Sequence, residues 1–199
     1  MNATRPVVVR RVFETLLIAL LLAGSASGWD AKQQAELAEG QVVVEALAIE
    51  RGEPARVRAA IQIPADPESV WSVMVDCAAA PEYVPNMRSC TVLEKHDDYE
   101  LIEHRVKISF LLPGVTYVFR ADYQPHAEIK FNRVSGGLRH LSGAWKLTKL
   151  GPEITQVDYV VSLRPGFLVP RWLVRRSLKK DLPNVLRALR ARIAGETNR

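Results

Sequence analysis

Of the ionisable residues in this chain, His104 stands in the most suggestive place. It shares a period-two phase with Ile102, Val106, Ile108 and Phe110, which puts it on the apolar face of a strand. An imidazole facing an apolar interior can orient a ligand carbonyl or pass a proton. The alternatives are a core imidazole bonded to backbone, or a register that leaves it at the rim. His104 is thus a candidate only, and no residue is assigned a catalytic role. Arg133 shares phase with Ile129 and Phe131 near a strand end. Its planar fork suits a carboxylate or phosphate, and the alternative is a solvated strand-end charge. Asp158 alternates with Val157 and Tyr159 and is expected to face outward. His96, His126 and His140 fall in turns or out of phase and are assigned no role. No Ser-His-Asp order, Gly-rich phosphate loop or carboxylate pair stands out. The two cysteines form no CxxC or Cys/His cluster, so no metal site is expected, nor any cofactor.

The aromatic residues are more informative. Tyr117, Phe119 and Tyr123 share one strand face, and Phe131, Trp145 and Tyr159 can share the same interior. Tyr83 and Met87 come from a short-helix region that would close an entrance. Such a set is either a solid core or the wall of a cavity.

These side chains need elements to position them. Residues 29–40 are polar and Ala-rich, a short helix or loose lead-in. Gln41 to Ile49 reads as a strand, Arg51 to Pro54 as a turn, and Arg56 to Ile63 alternates cleanly, with Val57, Ala59, Ile61 and Ile63 on one face. Asp66 and Pro67 open a helix as cap and first residue, and Pro81 and Pro85 bracket a second, shorter one. Strands follow over Cys90 to Glu94, Leu101 to Phe110, Thr116 to Tyr123, Glu128 to Val134, Leu138 to Leu147 and Thr155 to Leu163, with turn residues at most breaks. Pro170 opens a long last helix, whose apolar stripe is Leu178, Leu182, Val185, Leu186, Leu189 and Ile193; Pro183 is placed to kink it. The fold class is α+β, a curved antiparallel sheet covered by one long helix.

Composition bounds the function classes. Of 199 residues, 48% are apolar and 25% charged, enough for one well-buried domain. The net charge is +5, but Arg171 to Arg192 alone holds eight Lys/Arg and one Asp, a balance of +7. The rest of the chain is slightly acidic, so the charge is a basic face on one helix. Arg171, Arg175, Arg176, Lys179 and Lys180 cluster beside Trp172, which suits an anionic membrane surface if the face is more than solvated. Nucleic acid is not expected, because the aromatics needed for stacking are spent on the core.

Residues 1–28 read as a cleaved export signal: Arg5, Arg10 and Arg11, then an apolar run from Leu16 to Ala23, then small residues that offer cleavage after Ala26 or Gly28. The apolar run is short of the roughly 18–20 residues a membrane span needs. Cys77 and Cys90 then sit in an oxidising compartment, which favours a disulfide over two buried thiols. A bacterial periplasm is the expected destination. Residues 41–195 form the domain and 196–199 a tail.

Two motifs carry a family resemblance. Ile63-Pro64-Ala65-Asp66-Pro67-Glu68-Ser69-Val70-Trp71, with Asp76 and then Pro81 to Met87, resembles the opening of START-like (SRPBCC) domains. Within them it is similar to the bacterial polyketide cyclase/dehydrase and coenzyme-Q-binding (Coq10-type) branch. Gly137 to Trp145, and Leu163 to Gly166 with Pro170, fit the same family from about Gln41 to Ala194. The resemblance implies a helix-grip fold, with two short helices after the first core strand and a cavity between sheet and last helix. Tyr83, Met87, His104, Val106, Tyr117, Phe119, Phe131, Arg133, Trp145, Tyr159 and Leu178 would line that cavity. It implies a carrier of a lipid, an isoprenoid or quinone, or a polyketide-like compound. The alternatives are a cyclase or dehydratase in the same cavity, or a ligand-free interaction module using the basic helix.

Overall fold

The computed structural model describes residues 28–48, 50, 52–107, 114–166 and 171–195. The expected leader up to Ser27, the strand positions Ile108 and Phe110, the helix-opening Pro170, the tail 196–199 and the side chain of Arg171 lie outside the described residues.

The chain runs through a helix at Ala31–Ala38 (α1), strands at Val43–Ala46 (β1) and Ala55–Ile63 (β2), and short helices at Pro67–Val75 (α2) and Ala80–Tyr83 (α3). Six strands follow: Met87–Lys95 (β3), Tyr99–Val106 (β4), Val115–Gln124 (β5), Glu128–Gly136 (β6), Leu138–Gly151 (β7) and Ile154–Pro165 (β8). The last helix is Arg171–Ile193 (α4). The eight strands form one sheet in the order β1-β2-β8-β7-β6-β5-β4-β3, antiparallel throughout. Together with the long α4 and the two short helices after β2, this is the helix-grip architecture.

Local chemistry explains the elements that hold the sheet in place. Asp66 caps α2 by accepting hydrogen bonds from the amides of Glu68 and Ser69 at 2.9 and 3.0 Å and from the Ser69 hydroxyl at 2.7 Å. These bonds, the Ser69 hydroxyl first, lower the Asp66 carboxyl below its ordinary range. Along β2 the inner residues Val57, Ala59, Ile61 and Ile63 are fully buried. The stripe Leu182, Leu186 and Leu189 of α4 packs into the same core, and the helix runs unbroken past Pro183.

The outer face of β2 departs from a simple solvent face. Trp29 and Leu37 form a second small core with Val43 and Ala60. The indole N–H of Trp29 donates to Asp158 at 2.6 Å, and the Arg58 guanidinium lies 4.1 Å from the Trp29 ring centre. Arg58 also donates twice to Glu45, at 2.8 and 2.6 Å. Asp158 does face away from the main core, as its alternation predicts, but the Trp29 indole bonds to it there. The lead-in is therefore a clamp on the back of the sheet, capped at Asp30 by a reciprocal bond pair with Gln33. Among the described residues no helix is long and apolar enough to cross a membrane.

Candidate functional site: an aromatic interior under the last helix

Strand register brings the expected interior residues to one face. Cys90 of β3 pairs with His104 of β4, His104 with Tyr117 of β5, and Tyr117 with Gly136 of β6. One step along, Ile102 pairs with Phe119 and Phe119 with Arg133. Phe131 pairs with Gly143, and Trp145 with Tyr159.

The rings then touch in a continuous chain across five strands. His104 meets Phe119 edge-on at 4.7 Å between centres, Phe119 meets Phe131 at 6.2 Å, Phe131 meets Tyr159 at 5.9 Å, and Tyr159 stacks on Trp145 at 3.8 Å. Gly143 makes room for this path. A Cβ there would come within 2.1 Å of the Val160 carbonyl oxygen and 2.4 Å of Phe131 Cζ, so any larger residue would force the Phe131 ring or the backbone to move.

The helix does not cover this chain evenly. The close backbone approaches of α4 are to β1, β2, α2 and α3. Phe119 and Phe131 are buried, whereas His104, Val106, Tyr117, Trp145, Tyr159 and Leu178 keep part of their surface accessible. Yet the three titratable members, His104, Tyr117 and Tyr159, are deep in protein. Burial raises the Tyr117 phenol to about 12, drives that of Tyr159 higher still with help from Tyr117, and lowers His104 to about 4. These three side chains are surrounded by protein and still keep part of their surface accessible. An open groove of about 440 Å³ lies elsewhere, between α1, β1 and Pro183, and includes none of these side chains.

His104 has a partner, though not a backbone one: its Nδ1 lies 3.3 Å from the Tyr117 hydroxyl. With His104 neutral at physiological pH, the phenol can donate to that nitrogen. Tyr83 is half-buried and donates to the Val73 carbonyl at 3.1 Å, which ties α3 to α2. Burial, with Asp76 adding and Arg192 opposing, raises its phenol to about 12. Met87 pairs with Val106 at the start of β3 and is half-buried. Arg133 is half-buried on the inner face. Leu178 packs against the core from α4. Cys77 and Cys90 form a disulfide with Cα atoms 5.3 Å apart, pinning the segment after α2 to β3. Among the described residues no cluster of metal-ligating side chains occurs.

At the start of α4, Trp172 is 65% exposed; Arg176, Lys179 and Lys180 are exposed and Arg175 is half-buried.

A family described as polyketide cyclase/dehydrase and lipid transport matches residues 63–190. The chain belongs to it. No protein of curated function matches the chain. Among solved structures, a STAR-related lipid transfer protein of Xanthomonas axonopodis is 18% identical with a TM-score of 0.68, over 77% of this chain and 93% of its own. The ZhuI aromatase/cyclase of Streptomyces sp. R1128 is 19% identical with a TM-score of 0.59, over 71% and 92%. Human STARD10 is 12% identical with a TM-score of 0.66, over 77% and 69%. At such identities the likeness is one of fold, the START-like helix-grip architecture. Sequence reasoning gave Trp29 and Arg58 no role, and it held Gly143 only as part of the Gly137 to Trp145 motif, without its approach to Phe131. Trp29 carried a signal too, a large aromatic directly after the small residues at 24–28.

Proposed function

We propose that this START-like domain is an exported carrier that encloses one apolar molecule between α4 and strands β4 to β6. The observation that carries the reading is the surface kept accessible by Tyr117, Tyr159 and His104 at a depth where burial already shifts their ionisation. Walls that are mostly aromatic and aliphatic bind through burial, worth about 25 cal/mol per Å² before ordering costs. A lipid, an isoprenoid or quinone, or a polyketide-like compound meets that description, and the family description includes lipid transport.

Two further features support delivery in the cell envelope. The leader pattern of residues 1–28 and the Cys77–Cys90 bond both suit a bacterial periplasm. The exposed Trp172 with Arg175, Arg176, Lys179 and Lys180 suits transient docking on an anionic membrane. The direct test is gentle purification of the exported protein followed by mass spectrometry of its small molecules. An apolar compound at near one equivalent per chain is expected. Protein that arrives empty and takes up no hydrophobe would overturn the carrier.

The His104–Tyr117 pair favours a second reading, a cyclase or dehydratase. A neutral imidazole can accept a proton from an activated carbon while the phenol hydrogen-bonds a carbonyl oxygen. The two readings separate at His104→Gln, which abolishes turnover of a polyketide-like substrate in an enzyme and leaves a carrier loading its ligand.

A further inference from the structure

The inner face of the sheet carries a cation one of whose buried nitrogens has no hydrogen-bond partner. Arg133 lies opposite Phe119, where the β5–β6 register shifts: Val118 pairs with Ser135 and Phe119 with Arg133, leaving Val134 as the extra residue. A bulge of this kind re-aims the side chains beside it. One guanidinium nitrogen of Arg133, Nη2, donates to the Gly136 carbonyl at 3.0 Å. Gly136 holds that carbonyl in place with φ +94°, and a Cβ there would lie 2.5 Å from both the Thr116 oxygen and Tyr117 Cα. The Nε of Arg133 is buried and has no hydrogen-bond partner.

Among the described residues Arg133 forms no ion pair. Glu100 is a buried carboxylate on the same face, but it is held by Lys95 at 3.0 Å and by the Tyr123 hydroxyl at 2.9 Å. A guanidinium stays charged at any physiological pH, and a buried charged donor without a partner is costly.

We propose that the carried molecule is an amphiphile with one anionic end, a carboxylate or phosphate, held at Arg133 while its apolar chain lies along Phe119, Phe131 and Tyr159. The anion supplies the oxygen that Arg133 Nε lacks. The Tyr117 hydroxyl, projecting from the position paired with Gly136, is a second polar group on the same face. Recognition of the head is then charge-assisted, and the tail is held by burial without regard to its detailed structure.

This inference rests on the carrier reading, and the test separates the two. The exported protein is loaded with an apolar fluorophore, which is then displaced by hexadecanoate, hexadecyl phosphate or hexadecanol at neutral pH. At least one anion should displace at a concentration about tenfold or more below that of the alcohol, a difference typical of one charge-assisted contact. In Arg133→Gln that preference should vanish while hexadecanol competes as before; Arg133→Lys should keep part of it. Equal competition by all three in the parent protein overturns the anionic ligand and leaves the carrier standing. So does a uniform loss of all three in Arg133→Gln. Failure of the parent to bind the fluorophore at all overturns both.

Discussion

Two halves of the same sheet do opposite work. In β2 and β8 the inner residues Val57, Ala59, Ile61 and Val157 have no accessible surface, and the fully buried Leu186 of α4 belongs to the same core. In β4, β5 and β6 the inner face carries His104, Tyr117, Phe119, Phe131 and Arg133, and α4 makes its close approaches elsewhere. One half is packed to the density of an ordinary core. In the other, His104, Val106 and Tyr117 keep part of their surface accessible. Stability should therefore reside in the first half and recognition in the second.

The largest expected effect breaks the packed half. Leu186→Ala removes a fully buried side chain and should cost about 2–5 kcal/mol, read as a fall in the denaturation midpoint. Leu178→Ala, on the same helix but half-buried, should cost clearly less. Equal losses at the two positions would mean that both halves are packed alike.

A smaller effect sharpens the open half through pH. His104 is held near 4 by burial, below its ordinary 6.5. Between those values the unfolded chain binds more protons than the folded one, so stability rises with pH across that window. Acidification from about 6.5 to about 4 should thus cost at most about 3 kcal/mol from this residue. In His104→Gln the stability profile should be flatter over the same window. A profile of unchanged steepness would place the proton uptake elsewhere.

The smallest expected effect on stability lies on the surface of α4. Replacing Arg175, Arg176, Lys179 and Lys180 by Gln should change the melting temperature little, since exposed charges typically contribute under about 1 kcal/mol each. Binding of the parent to anionic vesicles, absent on neutral ones and weakened by salt, should nevertheless disappear. A Gln variant that binds anionic vesicles as well as the parent would leave the basic cluster a solvated face.

The packed half was the more legible in sequence. Clean alternation in β2 and the leucine stripe of α4 report burial directly, because each element needs only its own period. The aromatic half was legible residue by residue, but not as contacts. His104 was expected on an apolar face, yet its bond to Tyr117 depends on how β4 and β5 register, and no single-strand pattern contains that. The start of β3 at Met87 rather than Cys90 was hidden for a related reason: it is an edge strand whose Val92 and Leu93 are consecutive and both exposed, so it shows no period-two signal. The cover on the outer face was hidden because α1 attaches through two anchors, Trp29 and Leu37, too few to make a stripe.

The hollow half of the grip is the central claim, and filling it is the most direct test. Val106 lies in phase with His104 on β4 and is half-buried. Val106→Trp should enter existing space, leaving the melting temperature near that of the parent while abolishing saturable, one-to-one binding of an apolar fluorophore. In a solid core the same substitution would overpack and cost about 1–3 kcal/mol. A parent protein with no saturable site, together with a destabilised Val106→Trp, would contradict the account.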